Sequence, residues 1–326
     1  MVETPSLAGR RNIAVRMAID PEKVSNTIVN FLIEKLNDQR ASGILIGLSG
    51  GIDSAIVTTL ALRAVGAKNV FTLHLFDRDS QRKFLEHAKG LADKLGIHFE
   101  IRDITPLVEK TGTSEFPMLG RVAILRGLNP LIIRLFQVFY YLMHRGHLGA
   151  SIMNSTTIAR SRVIRKISSA IKYPIMRGFA IKHIVRRQVL EDYAAERNLL
   201  LVGAANRSEW LTGWFIKNGV DDLPIEPLVG LYKTQVYQLA HFLDVPSEII
   251  DEPPSPDMFK GLSDESMIGA SWEKIDRVLY ILTKGLDEEV ALAEGITAEE
   301  FYRIKMRHEL THPKREGIHH FPSIQN

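Results

Sequence analysis

The 326-residue chain has no cysteine. That absence excludes disulfides, thiolate-bound zinc and cysteine nucleophiles. Long apolar runs are missing too. The longest, residues 131–143, is broken by Arg134 and Gln137 and is too short to span a bilayer. The N-terminal MVETPSLAGRRNIAVRM lacks the continuous apolar stretch of a secretory signal. The expectation is a cytoplasmic protein. Acidic residues are absent from one segment: between Phe116 and Leu190 there is no Asp or Glu, yet thirteen of the 41 Lys and Arg lie there. The other 28 face all 38 carboxylates, so a net charge of +3 hides a basic block in an acidic chain.

What is present is ordinary globular material, 45% hydrophobic and 24% charged, long enough for one large domain or two smaller ones. Asp20-Pro21-Glu22 reads as an N-cap, a first-turn proline and an early acid. The spacing of Val24, Ile28, Phe31, Leu32 and Leu36 then predicts an amphipathic helix. Strands are expected at 44–48, 70–76, 97–101 and 199–202, with helices at 53–65, 80–95 and 185–197 between or before them. Further helices are expected at 231–243, 271–282 and 298–308. This alternation predicts an α/β fold built on a doubly wound parallel sheet. The basic block interrupts the rhythm as a helical insertion, with breaks at Pro130, Gly146 and Pro174. The expected division is one domain from 1–110 and 184–326, with 111–183 inserted in it.

Residues 47–54, Gly-Leu-Ser-Gly-Gly-Ile-Asp-Ser, stand where the first strand turns into a helix. Such a turn exposes free backbone N–H groups and the positive end of the helix dipole. Gly50 and Gly51 permit a sharp turn and close approach to a ligand. Ser49 and Ser54 add hydroxyls, and Asp53 suits a Mg²⁺ accompanying phosphates. The stretch reads as a pyrophosphate-and-magnesium cradle. It lacks the Gly-Lys-Ser/Thr ending of a Walker A loop. It does match the G-x-S-x-G of a hydrolase nucleophile elbow, but that fold builds several strands before its elbow, and here only a helix precedes residue 44. A Gly-rich turn without a ligand is the plain alternative.

The same loop resembles the SGGxDS loop of the N-type ATP pyrophosphatases. Within that superfamily the chain resembles ammonia-dependent NAD synthetases, through LHLFDRDS (73–80), LVGAANRSEWLTGWFIKNG (201–219), PLVGLYKTQVYQLAHFLDVPSEII (227–250) and EPPSPD (252–257). The resemblance spans residues 20–105 and 184–285. It implies an adenine nucleotide α-hydrolase-like sheet and a homodimer. The implied reaction is an AMP-forming one: ATP adenylates a carboxylate, most readily that of deamido-NAD, and ammonia displaces AMP. With neither a glutaminase domain nor a cysteine nucleophile present, ammonia rather than glutamine is expected. Alternatives are another acceptor carboxylate, or a nucleotide-binding regulator that has lost turnover.

By the same resemblance Gly47, Leu48, Ser49, Gly50, Gly51, Ile52, Asp53, Ser54, Ala204, Lys233 and Ser255 bind ATP. Asp53 and Glu209 hold Mg²⁺. Asp53, Lys233, Asp221 and Asp222 serve catalysis, while Arg186, Lys217, Asp222, His312 and Lys314 hold the acceptor. A compact, strongly hydrated ammonium at Lys233 suits contact with phosphates. The chain departs from the family pattern at Ala204, where a Thr is usual, and at Val220, where an Asp is usual. The block 116–190 is either a helical insertion whose cations pair with the acidic remainder or a groove for a polyanion; contact with nucleic acid or an anionic membrane surface is a less favoured alternative. Phe136, Phe139, Tyr140 and Tyr141 fall among Leu and Ile there, a core-like pattern.

Overall fold

The computed structural model describes residues 13–111, 162–255, 263–317 and 319–324. Helix α1 (Pro21–Asp38) begins as its sequence predicts, with the Asp20 side chain accepting the Lys23 N–H at 3.1 Å and a proline in the first turn. Strand β1 (Gly43–Gly47), helix α2 (Ile52–Val65), strand β2 (Val70–Phe76), helix α3 (Arg82–Leu95) and strand β3 (His98–Asp103) follow in strict alternation. Helix α4 (Arg162–Arg197) leads into strand β4 (Leu199–Val202).

Among the described residues the strands form one parallel sheet in the order β3-β2-β1-β4. Ile44 lies opposite Val70 on one side and Leu200 on the other. The chain leaves β1 towards β2 and later returns to the opposite side of β1 with β4. The loops after β1 and β4 therefore diverge, and a crevice opens at the carboxyl ends of these two strands.

Burial explains the composition of the central elements. Ile44, Leu45 and Ile46 are fully buried, because β1 is covered on both faces. Helix α2 is buried from Ile52 to Ala61 except at Asp53, so its apolar residues follow no single stripe. One core joins α1, α2 and one face of β1 to helix α6 (Lys233–Phe242), through Ile28, Leu32, Ile56, Leu60, Val236 and Leu239. On the other face Leu45 and Leu73 pack against Leu190 and Tyr193 of α4. A separate core forms between helix α5 (Arg207–Thr212), helix α7 (Trp272–Thr283) and helix α8 (Ala298–Leu310), around Ile275, Leu279 and Phe301.

The expected strands and helices occur where the pattern placed them, within a few residues. One expectation fails. Helix α4 runs straight through Pro174, which was to break it, and begins well before residue 185. An interior proline forfeits one hydrogen bond and costs about 3 kcal/mol. Beyond it, burial of Phe179 and the ion pairs of Lys182 and Arg186 with Asp77 offset that cost. The expected breaks at Pro130 and Gly146 and the aromatics at 136–141 lie outside the described residues. Of the basic block, Lys182, Arg186 and Arg187 pair with Asp77, Asp79 and Glu191.

Candidate active site

The loop after β1 requires glycine at one position, Gly50. Gly50 has φ +91°, and a Cβ there would stand 2.1 Å from the carbonyl oxygen of Phe84 in α3. Ser54 ties the loop to the first turn of α2: its hydroxyl donates to the Gly51 carbonyl at 3.0 Å and accepts the Ser49 N–H at 3.2 Å. The Ser49 hydroxyl lies 3.0 Å from that of Ser54 and accepts the Gly51 N–H at 3.3 Å. The imidazole bonded to this loop, His74, reaches the Leu48 carbonyl rather than Ser49. Ser49 is thus a loop-shaping hydroxyl with no paired base among the described residues, unlike an elbow nucleophile.

The loop after β4 faces it. Asn206 caps α5, accepting the Glu209 N–H at 3.0 Å, while the Glu209 carboxylate accepts the Asn206 N–H at 3.2 Å. The Asn206 amide also donates to Asp53 at 3.0 Å, so one residue fixes both carboxylates, Asp53 through its side chain and Glu209 through its backbone N–H. Lys233 completes the group. It is 1% exposed, bonds the other Asp53 oxygen, and stands 3.7 Å from Glu209. Its place is set by the start of α6: the Lys233 N–H donates to Ser208, the Ser208 hydroxyl donates to buried Asp276, and Asp276 accepts the Thr234 N–H at 2.7 Å.

These charges are poorly balanced. Burial, and then the Asp53 charge, push the Glu209 carboxyl up to about 8 against the pull of Lys233. Burial alone would lower the Lys233 ammonium, but Asp53 and Glu209 hold it well above the usual lysine range. Asp264 lies nearby, 5% exposed, with Oδ1 bonded to nothing among the described residues, and burial pushes it up to about 6. Two carboxylates share one ammonium, and an all-oxygen set of this kind suits a hard divalent cation.

A cavity of about 260 Å³ occupies the crevice. It brings together Gly47, Leu48, Ser49, Gly51, Ile52, Asp53 and Ser54 with Ala204, Glu209, Lys233, Ser255, Arg186 and Asp221. Gly50 lies behind the loop, against α3. The remaining expected residues sit outside the cavity lining, in or beside the C-terminal segment. Asp222 is buried, accepts the Asn218 N–H at 2.7 Å and bonds His319 at 3.0 Å. Lys217 stands 3.7 Å from Asp222 and donates to the Glu316 carbonyl at 2.6 Å. Lys314 donates to the carbonyls of Gly213 and Phe215, and burial lowers its ammonium to about 8. His312 is exposed.

Of the wall that α4 contributes, sequence reasoning named only Arg186. Phe179, His183, Arg186 and Leu190 line the cavity from one face of that helix. Their spacing of four, three and four is the available signal, masked by the surrounding basic residues. Arg186 is anchored there by Asp77, 3.1 Å away, which also takes Lys182 at 3.2 Å. Burial would raise the Asp77 carboxyl, but Arg186 and Lys182 hold it below the usual carboxylate range. Asp264 was missed because it adjoins no recognisable motif.

The model of the NAD synthase family matches residues 24–118 and 152–317. An NH(3)-dependent NAD(+) synthetase of Thermotoga neapolitana is 32% identical over 267 residues, covering 81% of this chain and 86% of that protein. One from Coprothermobacter proteolyticus is 34% identical over 278 residues, covering 85% and 87%. Among solved structures, NMN synthetase from Francisella tularensis superposes with a TM-score of 0.65 at 26% identity, over 94% of this chain and all of that one.

Proposed function

The chain belongs to the NAD synthase family, and from that premise we propose how its residues divide the work. The protein is an ammonia-dependent, AMP-forming ligase that adenylates deamido-NAD, releases pyrophosphate and transfers ammonia to give NAD. In our reading the ATP phosphates lie in the 47–54 loop against the first turn of α2, where free N–H groups and the helix dipole favour anions. Ser255 and Ala204 bound the nucleotide from the facing loops. Asp53 and Glu209 hold Mg²⁺, which when bound neutralises charge on the phosphates.

Lys233 supports this reading more than any other residue. A fully buried lysine, held charged by two carboxylates at the open end of a crevice, is costly to maintain for packing alone. It becomes useful when phosphates and a cation arrive. Its ammonium would then be free to turn from the carboxylates to phosphate oxygens, with Asp53 and Glu209 left to hold the ion. Attack of the acceptor carboxylate on the α-phosphorus expels pyrophosphate, so these residues act by positioning and charge neutralisation. Arg186, on the far wall, offers the acceptor a guanidinium already fixed by Asp77. Lys217, Asp222, His312 and Lys314 belong to the acceptor's outer end, where the tail crosses the 216–222 loop. A homodimer in the cytoplasm, with residues 111–183 inserted in the ligase domain, completes the reading.

The test is pyrophosphate release from ATP with Mg²⁺, ammonia and deamido-NAD. Turnover by the wild type and a loss of roughly a thousandfold or more in Asp53→Ala are expected. An Asp53→Ala enzyme that turns over normally overturns the metal and phosphate assignment. The likeness to an NMN synthetase makes the corresponding mononucleotide carboxylate the second acceptor to assay. Preference for it would move the reading to that smaller substrate.

A further inference from the structure

We propose that His183 and Asp221 form the acid–base pair of the ammonia step, with His183 Nε2 taking the proton that ammonium must lose. The inference rests on the ligase reading above and names the group that acts in its second half.

The geometry is that of an oriented imidazole. His183 Nδ1 lies 2.9 Å from Asp221 Oδ1. A carboxylate can only accept, so Nδ1 carries the hydrogen, and in the neutral ring Nε2 keeps its lone pair. Asp221 is itself fixed by the Ile216 N–H, which donates to its other oxygen at 3.2 Å. Nε2 is buried and has no hydrogen-bond partner among the described residues, and both residues line the cavity. The ring stacks on Phe179 at a centroid distance of 5.0 Å. Helix and loop are fitted to each other here: the Val220 N–H donates to the His183 carbonyl at 3.2 Å, and a Cβ on Gly219 would stand 2.8 Å from the His183 Cβ. A bare, buried nitrogen held in one tautomer is costly unless something binds it.

Most other titratable groups of the cavity are engaged: Asp53 and Glu209 hold Lys233, Glu252 pairs with Lys83 at 2.5 Å, and Arg186 pairs with Asp77. Asp264, whose Oδ1 has no partner among the described residues, is under the influence of the Lys233 charge. Near neutral pH ammonia arrives as ammonium, which has no lone pair to attack with. Transfer of one proton to Nε2 leaves ammonia, whose lone pair forms the C–N bond at the acyl carbon of the adenylate. The tetrahedral adduct loses its second surplus proton to water. The C–O bond to AMP then breaks, and AMP leaves with the electron pair. Asp221 stabilises the imidazolium while it lasts, as a positioning residue.

The experiment compares two half-reactions in the full-length enzyme. ATP–pyrophosphate exchange with deamido-NAD reports adenylation, and amide formation with ammonia reports the second step. In His183→Ala, amide formation should fall at least about a hundredfold relative to exchange, the usual size of a general-base effect. Hydroxylamine is largely unprotonated at neutral pH and needs no such base. Hydroxamate formation should therefore stay within about tenfold of wild type relative to exchange. Asp221→Asn, which removes the charge that stabilises the imidazolium while keeping the side chain's shape, should show the same pattern. Equal losses in exchange, amide and hydroxamate would overturn the proposal in favour of a structural role, as would unchanged amide formation in both variants. A wild type that exchanges no pyrophosphate with deamido-NAD overturns the acceptor reading and the pair together, a result distinct from either of these.

Discussion

Replacing Lys233 with methionine removes a buried ammonium and keeps most of its volume. The Lys233–Glu209 distance of 3.7 Å corresponds to about 4–5 kcal/mol at an effective dielectric constant near 20. Stranding one member of a buried pair costs about 3–5 kcal/mol, so the expected loss at pH 9 is about 4 kcal/mol. At roughly 2 cal/mol/K of unfolding entropy per residue, that is a fall in Tm of about 6 °C. The loss should depend on pH. Glu209 in the folded wild type titrates at about 8, above its ordinary 4.5. Its ionisation therefore draws down stability as pH rises between those values and no further. Without Lys233 the folded value climbs higher and the drawdown continues past pH 8. At pH 6 Glu209 is protonated, and the variant should lose only about 2 kcal/mol. Calorimetry and urea unfolding of ligand-free protein at pH 6 and pH 9 read the difference. Added Mg²⁺ should stabilise the variant more than the wild type, because the ion replaces the missing cation. A cost below about 1 kcal/mol at pH 9, or one equal at both pH values, would refute the electrostatic account.

Gly50→Ala places a Cβ 2.1 Å from the Phe84 carbonyl at φ +91°; we expect about 2 kcal/mol of destabilisation and weaker ATP binding, measured by urea unfolding and calorimetric titration. Asp77→Asn leaves half-buried Arg186 without its counter-charge and buried Lys182 with Asp79 alone, and urea unfolding should show a loss of about 3 kcal/mol at pH 7. Glu300 caps α8, and its bond to Lys274, then the Thr297 N–H, lower its carboxyl to about 2. The folded value lies below the ordinary one, so its contribution is present above pH 4.5 and fades as pH falls towards 2. Glu300→Gln should cost about 1 kcal/mol at pH 7, after allowance for screening, and almost nothing at pH 2.5.

Much of the site could be read along the chain because its parts are local. A glycine turn between a buried strand and a buried helix makes an anion cradle from backbone alone, and Asp53 lies within one turn of it. Asn206 and Glu209 likewise share one capping box. The parallel sheet followed from the alternation of short apolar runs with helices. Pro174 misled for an equally local reason: proline's cost was legible, but the ion pairs that offset it join positions more than a hundred residues apart.

From the sequence alone came the alternation of strands and helices, the small-residue turn after the first strand, and the candidate groups proposed for phosphates and a cation. These depend on neighbours within a few residues, where backbone geometry and periodicity act. Which groups share a cavity was decided only in three dimensions. Asp221 and His183 are 38 positions apart and meet because α4 covers the sheet, whereas Asp222, next to Asp221, turns away to His319. Adjacent positions on a loop face opposite directions, and only the packing of a distant helix and the tail fixes which one enters the crevice.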